Sequence, residues 1–300
     1  MIGFLLIVAA CAFWALDTLI RYPLSHLLQN SFVIVFYEHM FLSLLLLAIS
    51  FKSLRRFKNI KLNHFMSFFI VGGIGSALAT LAFTKAFSFL NPSLVIILQK
   101  FQPLFAIMMA SYILNEKIQK EFIGWAIVCL VGAFLISYQD IVLVVREFTN
   151  IKQLIFHERS FQGYMLVLFS VLGWAAATVY GKKLVNLGYG DDLILTGRFL
   201  TGFLCLLPFA FFETTLFTHD VDIYAKISLM VLVSGLLAMY LYYQGLRRIP
   251  ARLCTLAEMF FPLMAVIVNW IFLGASLSIV QISGAIILVA GSLIIQIKQY

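Results

Sequence analysis

The sequence predicts an all-α polytopic membrane protein, with ten transmembrane helices arranged as two inverted five-helix repeats. Three observations carry this prediction. Of the 300 residues, 63% are hydrophobic and 11% charged, with a mean hydropathy of +1.02; soluble domains carry about 25% charged residues. Many apolar runs reach the ~20 residues that cross a bilayer. The chain also repeats itself. Ile96-Ile-Leu-Gln99-Lys-Phe-Gln-Pro103 matches Thr255-Leu-Ala-Glu258-Met-Phe-Phe-Pro262 at an offset of 159 residues.

Taken in order, the spans run over roughly 2–21, 31–51, 65–89, 92–114, 121–139, 161–183, 192–212, 224–246, 250–273 and 278–297. Polar or helix-breaking residues punctuate them. Lys52 follows the second span and Lys61 precedes the third. Asn91-Pro92 separates the third from the fourth, which ends at Asn115-Glu116 before Lys120 opens the fifth. Lys182-Lys183 and Asp191-Asp192 flank the connection to the seventh, and Arg247-Arg248 and Pro250 divide the eighth from the ninth. Gly274 closes the ninth, and Lys298 follows the tenth. Residues 1–139 form the first repeat and 161–300 the second. Residues 140–160 between them are too polar to span. Val144, Phe148, Ile151 and Ile155 share one helical face there, which predicts an amphipathic linker lying at the outer interface.

Charge orients the chain. With the N-terminus cytoplasmic, thirteen basic residues fall inside: Lys52, Arg55, Arg56, Lys58, Lys61, Lys117, Lys120, Lys182, Lys183, Arg247, Arg248, Arg252 and Lys298. Five fall outside: Arg21, Arg146, Lys152, Arg159 and Lys226. Both termini are therefore expected in the cytoplasm of a bacterial cell, with the protein in the inner membrane. The same pattern accounts for the net charge of +8 without nucleic acid. Cys11, Cys129, Cys205 and Cys254 all lie in apolar runs and read as core residues. The five histidines lack metal-ligand spacing.

Further pairs extend the repeat. His39 matches Arg198, Ala86 matches Gly245, Gly132 matches Gly291, and Trp125-Ala126-Ile127 matches Gly284-Ala285-Ile286, while Trp14 matches Trp174 with one residue of slip. Five spans per half is an odd number, so the second half enters the membrane inverted. Inverted repeats are a transporter architecture, with the substrate site near the midplane between them.

Leu90-Asn-Pro92 through Pro103 to Leu114-Asn-Glu116, and Ile249-Pro250-Ala251 through Glu258 and Pro262 to Leu273-Gly274 and Gly284 through Gly291, resemble the two repeats of the drug/metabolite transporter superfamily, EamA type. The chain departs from the family pattern where Phe260 and Phe261 separate Glu258 from Pro262, and where Ala275 stands in place of a Glu; Glu116 keeps that acid in the first half. The resemblance implies ten helices around a central cavity and alternating access. The family's cargoes include amino acids, nucleotides, nucleotide-sugars and drugs.

Charges at membrane depth are costly, so each needs a reason. Glu258 is mid-span, with Thr255 one turn before it on nearly the same face. It reads either as a site for an ammonium or proton, or as a cap on a carbonyl freed by Pro262. Gln99 is its repeat partner and reads as a hydrogen-bonding wall. Lys100 either neutralises Glu258 or holds a substrate carboxylate, unless it escapes to the interface along its stem. Trp14, Trp174, Thr178 and Tyr243, with Tyr240, are further cavity candidates; helix packing is the plainer account of the tryptophans. Asp17, Glu38 and Lys85 form an expected outer gate or coupling site, or a structural ion-pair network, and Arg198 is ambiguous between coupling and snorkelling. Asp191 and Asp192 suit a helix N-terminus. Gly72-Gly73-Ile-Gly75-Ser76 lacks a phosphate loop's ending and reads as close helix packing. Pro23, Pro103, Pro208 and Pro262 are candidate hinges.

No nucleophile–base pair, HExxH or Walker motif occurs, so the expectation is a secondary transporter rather than an enzyme, needing no cofactor. Its expected partners are a small-molecule substrate and the lipid bilayer, with proton or substrate-exchange coupling, and it acts as a monomer or homodimer. Mixed aromatics and charges point to amino acids or amino-acid-like amphiphiles. S-adenosylmethionine is an alternative cargo, and a membrane scaffold or receptor is the alternative from another class.

Overall fold

A computed structural model describes residues 1–28, 30–50, 60–90, 92–147, 158–216, 220–274 and 276–298. Among them, every regular element is helical. Nine helices are long and apolar enough to cross a membrane: Ile2–Ser25, Ser31–Ile49, His64–Ala86, Leu94–Ile113, Ser160–Asn186, Asp191–Ala210, Val221–Arg248, Ala251–Leu273 and Ile279–Lys298. Lys120–Ile136 together with Tyr138–Val145 meets the same requirement, bent by 66° between the two, and brings the number to ten. In chain order Lys120–Ile136 is the fifth span, and the others are numbered around it.

Three irregularities recur at matching points of the two halves. The fourth span breaks into Pro92–Gln99 and Gln102–Ile113, and the ninth into Ala251–Glu258 and Phe261–Leu273. Each helix start and each break is offset by 159 residues. The cause is local: a proline has no N–H for the carbonyl four residues earlier. Pro103 frees the carbonyl of Gln99, and Pro262 frees that of Glu258. The Cys11 thiol reaches the Glu258 carbonyl at 3.9 Å. The other two expected hinges, Pro23 and Pro208, lie inside uninterrupted helices.

The second irregularity is π-helical winding in the third and eighth spans, at Ile70–Leu78 and Val231–Leu237, ending at matched residues. The third is the end of each broken span. Asn115 (φ 54°) and Gly274 (φ 64°) both adopt the left-handed conformation that terminates helices, which glycine and asparagine tolerate best.

Lipid is as apolar as a helix surface, so spans associate through close backbone packing and polar contacts. The glycines of the π-helical run supply this closeness. A Cβ at Gly72 would sit 2.0 Å from both the Arg198 carbonyl and Thr201 Oγ1, and one at Gly75 would sit 2.4 Å from Ala177 Cβ. Gly124 has no neighbour within 4 Å. Gly72→Ala is therefore expected to cost about 1–3 kcal/mol and to lower the melting temperature in detergent, while Gly124→Ala leaves it unchanged.

One acid ties the two halves together. Glu116, in the connection after the fourth span, accepts from the Ala251 N–H (2.7 Å) and the Arg252 N–H (3.1 Å) at the start of the ninth span, with the Arg252 guanidinium at 3.6 Å. It caps the first half-helix of the other repeat. Glu116→Ala is expected to cost about 2 kcal/mol, and Glu116→Gln less, as read from thermal melts.

Part of the segment between the two repeats is described. Tyr138–Glu147 is helical, and Val144 packs on the cluster of Leu90, Leu94 and Val95. Phe148, Ile151 and Ile155 lie outside the described residues, as do Ala275 and the basic residues at 52–58.

Candidate functional site

Glu258 ends the first half of the ninth span, at the break. Its carboxylate is surrounded by donors from three other spans. Gln102 Nε2 reaches Oε2 at 2.9 Å, and Gln102 opens the second half of the fourth span. The Tyr242 hydroxyl lies 2.9 Å from Oε1, Thr178 Oγ1 lies 3.2 Å away, and the Cys254 thiol 3.5 Å. Thr178 and Tyr242 are themselves 2.9 Å apart. Each hydroxyl has one hydrogen, so one of them donates to Glu258 while the other relays through it. The carboxylate joins spans four, six, eight and nine, and the Gln102 bond links the two helix breaks directly.

Trp14 stands beside Tyr242. Its ring lies 5.6 Å from that of Tyr242, and its indole N–H donates to the Ser234 carbonyl at 3.3 Å. Ser234 sits in the π-helical segment of the eighth span and in turn donates to Asp17 Oδ1 at 2.7 Å. Asp17 pairs with Arg21 at 2.5 Å, and Arg21 makes a bidentate bridge to Glu38 at 3.0 and 3.1 Å. Next to Glu38, buried His39 meets the Val35 carbonyl at 2.8 Å through Nδ1 and Ser76 Oγ at 3.0 Å through Nε2. Ser76 also accepts from Arg198 Nε (3.2 Å), and Arg198 Nη1 donates to Tyr243 at 3.4 Å. Tyr243 stands edge-on to Tyr242 at 5.4 Å, which closes the circuit. The two halves of the chain alternate around it.

Several expected residues meet here: Trp14, Asp17, Glu38, Thr178, Arg198, Tyr243 and Glu258. Others stand apart. Lys85 is exposed at the end of its span, and Arg21 takes the place expected for it beside Asp17 and Glu38. Lys100 lies at the break of the fourth span, where its backbone N–H donates to the Ile97 carbonyl at 3.1 Å, and it is not among the groups that reach Glu258. Gln99 is half-buried and makes none of the contacts to Glu258; its neighbour Gln102 does. Trp174 packs on Phe83 at 4.9 Å. Thr255 is fully buried with its hydroxyl unpartnered, not turned to Glu258. Tyr240 is exposed, and Tyr242 is the tyrosine on the acid. The Glu258 side chain does not cap the carbonyl freed by Pro262, which is its own.

At the opposite end of the spans, Asp191 does more than begin a helix. It binds Gln244 and pairs with Arg247, which also donates to the Tyr189 carbonyl at 2.8 Å. Lys182 reaches the Leu246 carbonyl at 2.7 Å. With Glu116 and Arg252, these residues tie together the connections on one face of the molecule. Asn30 to Glu213 (2.8 Å) and Tyr37 to the Leu216 carbonyl (2.5 Å) do the same on the other.

The chain as a whole is similar to known proteins. Residues 1–138 and 161–297 each match the model for the EamA-like transporter family. The riboflavin transporter ImpX of Fusobacterium nucleatum subsp. nucleatum is 28% identical over 299 residues, covering 96% of this chain and 95% of its own. An uncharacterized transporter, YetK of Bacillus subtilis, is 30% identical over 140 residues, 46% of this chain and 42% of its own. A crystal structure superposes with a TM-score of 0.72 at 13% identity, over 97% of this chain and 95% of that one, which establishes a shared fold.

Proposed function

The chain belongs to the EamA-like transporter family, and we propose that its cargo is a small, flat aromatic metabolite of the riboflavin type, carried by alternating access between the repeats. The observation that carries this reading is the Trp14–Tyr242 wall beside the Glu258 carboxylate, where the two helix breaks meet. Aromatic walls bind flat rings, and a few convergent polar groups then fix their orientation. A relative that aligns along nearly the whole chain carries the name of a riboflavin transporter.

The same geometry weakens the expectation of amino acids. An ammonium needs free carboxylate lone pairs, and Glu258 already faces Gln102, Tyr242, Thr178 and Cys254. A ring N–H exchanging with one of these donors, such as Gln102, is a smaller change. Exchange of that kind breaks the bond between the two helix breaks, and so couples cargo to the rocking of the repeats. The excess of basic residues in alternate connections supports both termini in the cytoplasm, at a bacterial inner membrane, and the proposed energy source is a proton or cargo gradient.

A thermal-shift screen of the purified protein tests the cargo. A ligand that binds the folded state raises its melting temperature by mass action. Riboflavin is expected to do so at micromolar concentration, with L-tryptophan, adenosine and S-adenosylmethionine inactive. Stabilisation by an amino acid and not by riboflavin rejects the proposal.

A further inference from the structure

Arg198 lies mid-way along the seventh span, yet it has no acid for a partner among the described residues. The other arginines near the circuit and its ends are paired: Arg21 with Asp17 and Glu38, Arg247 with Asp191, and Arg252 with Glu116. Arg198 touches two neutral oxygens, Ser76 Oγ and the Tyr243 hydroxyl. Among the described residues it forms an ion pair with neither Glu38 nor Glu258. An unpaired guanidinium at membrane depth is expensive, and such residues mark substrate pathways.

Its surroundings hold it ready for a ligand. Nε donates to Ser76, whose own proton serves His39, so the plane of the guanidinium is fixed from behind. Nη1 makes one long contact of 3.4 Å to Tyr243. The group is half-buried and carries five N–H donors in a planar fork suited to paired oxygens. Beyond Tyr243, the edge-on Tyr242 leads to Glu258. Arg198 and Glu258 thus stand on either side of a pair of tyrosines, with no direct contact between them.

We propose that Arg198 is the second pole of the cargo site, donating to a carbonyl or carboxylate oxygen of a molecule whose N–H edge meets Glu258. This rests on the reading above and sharpens it. Opposite charges at the two poles select a cargo of zero net charge that presents a donor and an acceptor on one rigid frame.

Fluorescence titration of the purified protein tests the assignment, with riboflavin and its monophosphate as probes. Arg198→Gln is expected to weaken riboflavin binding at least tenfold, and Arg198→Lys by less. The charge readout separates this role from a structural one. The ratio of monophosphate to riboflavin affinity is expected to rise about tenfold in Glu258→Gln, which leaves a net positive site, and to fall in Arg198→Gln. Riboflavin binding within twofold of wild type in Arg198→Gln, or an affinity ratio that neither substitution moves, overturns the assignment and leaves the cargo reading standing. Wild-type protein that binds neither probe overturns the cargo reading and this assignment with it. Arg198→Lys keeps the charge; should Arg198→Gln fail to fold, unchanged riboflavin affinity in Arg198→Lys overturns the role of the planar fork.

Discussion

Replacing Glu258 with alanine is expected to reduce cargo transport by at least a hundredfold. The carboxylate is the common acceptor for Gln102, Tyr242, Thr178 and Cys254, and these come from four spans. Removing it leaves several buried donors unmatched, at about 1–3 kcal/mol each. It also removes the group that bonds across the two helix breaks to Gln102. Glu258→Gln is the more informative variant. It preserves volume and keeps an acceptor oxygen, so folding survives. It abolishes a proton step if one exists, and with it any accumulation driven by a pH gradient. Comparing uptake with and without an imposed gradient separates the two functions: lost accumulation with retained exchange assigns the proton to Glu258, whereas loss of both assigns cargo binding. Full activity of Glu258→Gln in both assays rejects either role.

The second large effect is expected at Arg21, and it falls on folding. Its guanidinium holds two carboxylates, Asp17 and Glu38, whose side chains are only 6% and 12% exposed. Truncating one partner of a buried charge cluster costs about 3–5 kcal/mol, because the remaining charge stays buried without compensation. Arg21 is itself 30% exposed, so solvent softens the penalty toward the lower end. Arg21→Ala is expected to give little folded protein in detergent. Adding Glu38→Gln and Asp17→Asn is expected to restore much of the yield, because the triple variant leaves no buried charge. Rescue of yield without rescue of transport marks the triad as part of the transport cycle as well as of the fold. A stable, fully active Arg21→Ala removes it from both.

Much of this architecture is legible in the sequence. Composition and run length are enough for ten spans, because lipid imposes one solution on the backbone. The matched prolines announced the two broken spans. What the sequence hid was azimuth. Depth along a span follows from counting residues, but which way a side chain points depends on local winding. The π-helical turns preceding Ala238–Arg248 shift the phase of everything after them, so the tyrosine on Glu258 is Tyr242, beside the expected Tyr243. Repeat correspondence misled in a different way. It matches Gln99 with Glu258, but matched residues occupy equivalent positions, not facing ones. The contact across the breaks joins residues that are not equivalent, Gln102 and Glu258. Lys85 shared a depth with Asp17 and Glu38 yet points outward, and Arg21, one turn after Asp17, completes the triad instead.

Glu116 and Ala275 show how sequence symmetry can break while backbone symmetry persists. Asn115 and Gly274 close their spans in the same conformation. The acid that follows Asn115 caps the ninth span, while its counterpart position holds alanine. One cross-repeat cap is thus present without its mirror image. Glu116 lies on the face that also carries Lys182, Arg247 and Arg252.

We propose that a flat aromatic cargo crosses at the junction of Glu258, Tyr242 and Trp14. Counterflow in proteoliposomes tests it without assuming a direction or a coupling ion. Vesicles loaded with unlabelled riboflavin and diluted into a trace of labelled riboflavin are predicted to accumulate the label transiently with wild-type protein, and not with Glu258→Ala or in protein-free vesicles. Folded wild-type protein that gives no transient with riboflavin, or a Glu258→Ala variant that gives the wild-type transient, contradicts it.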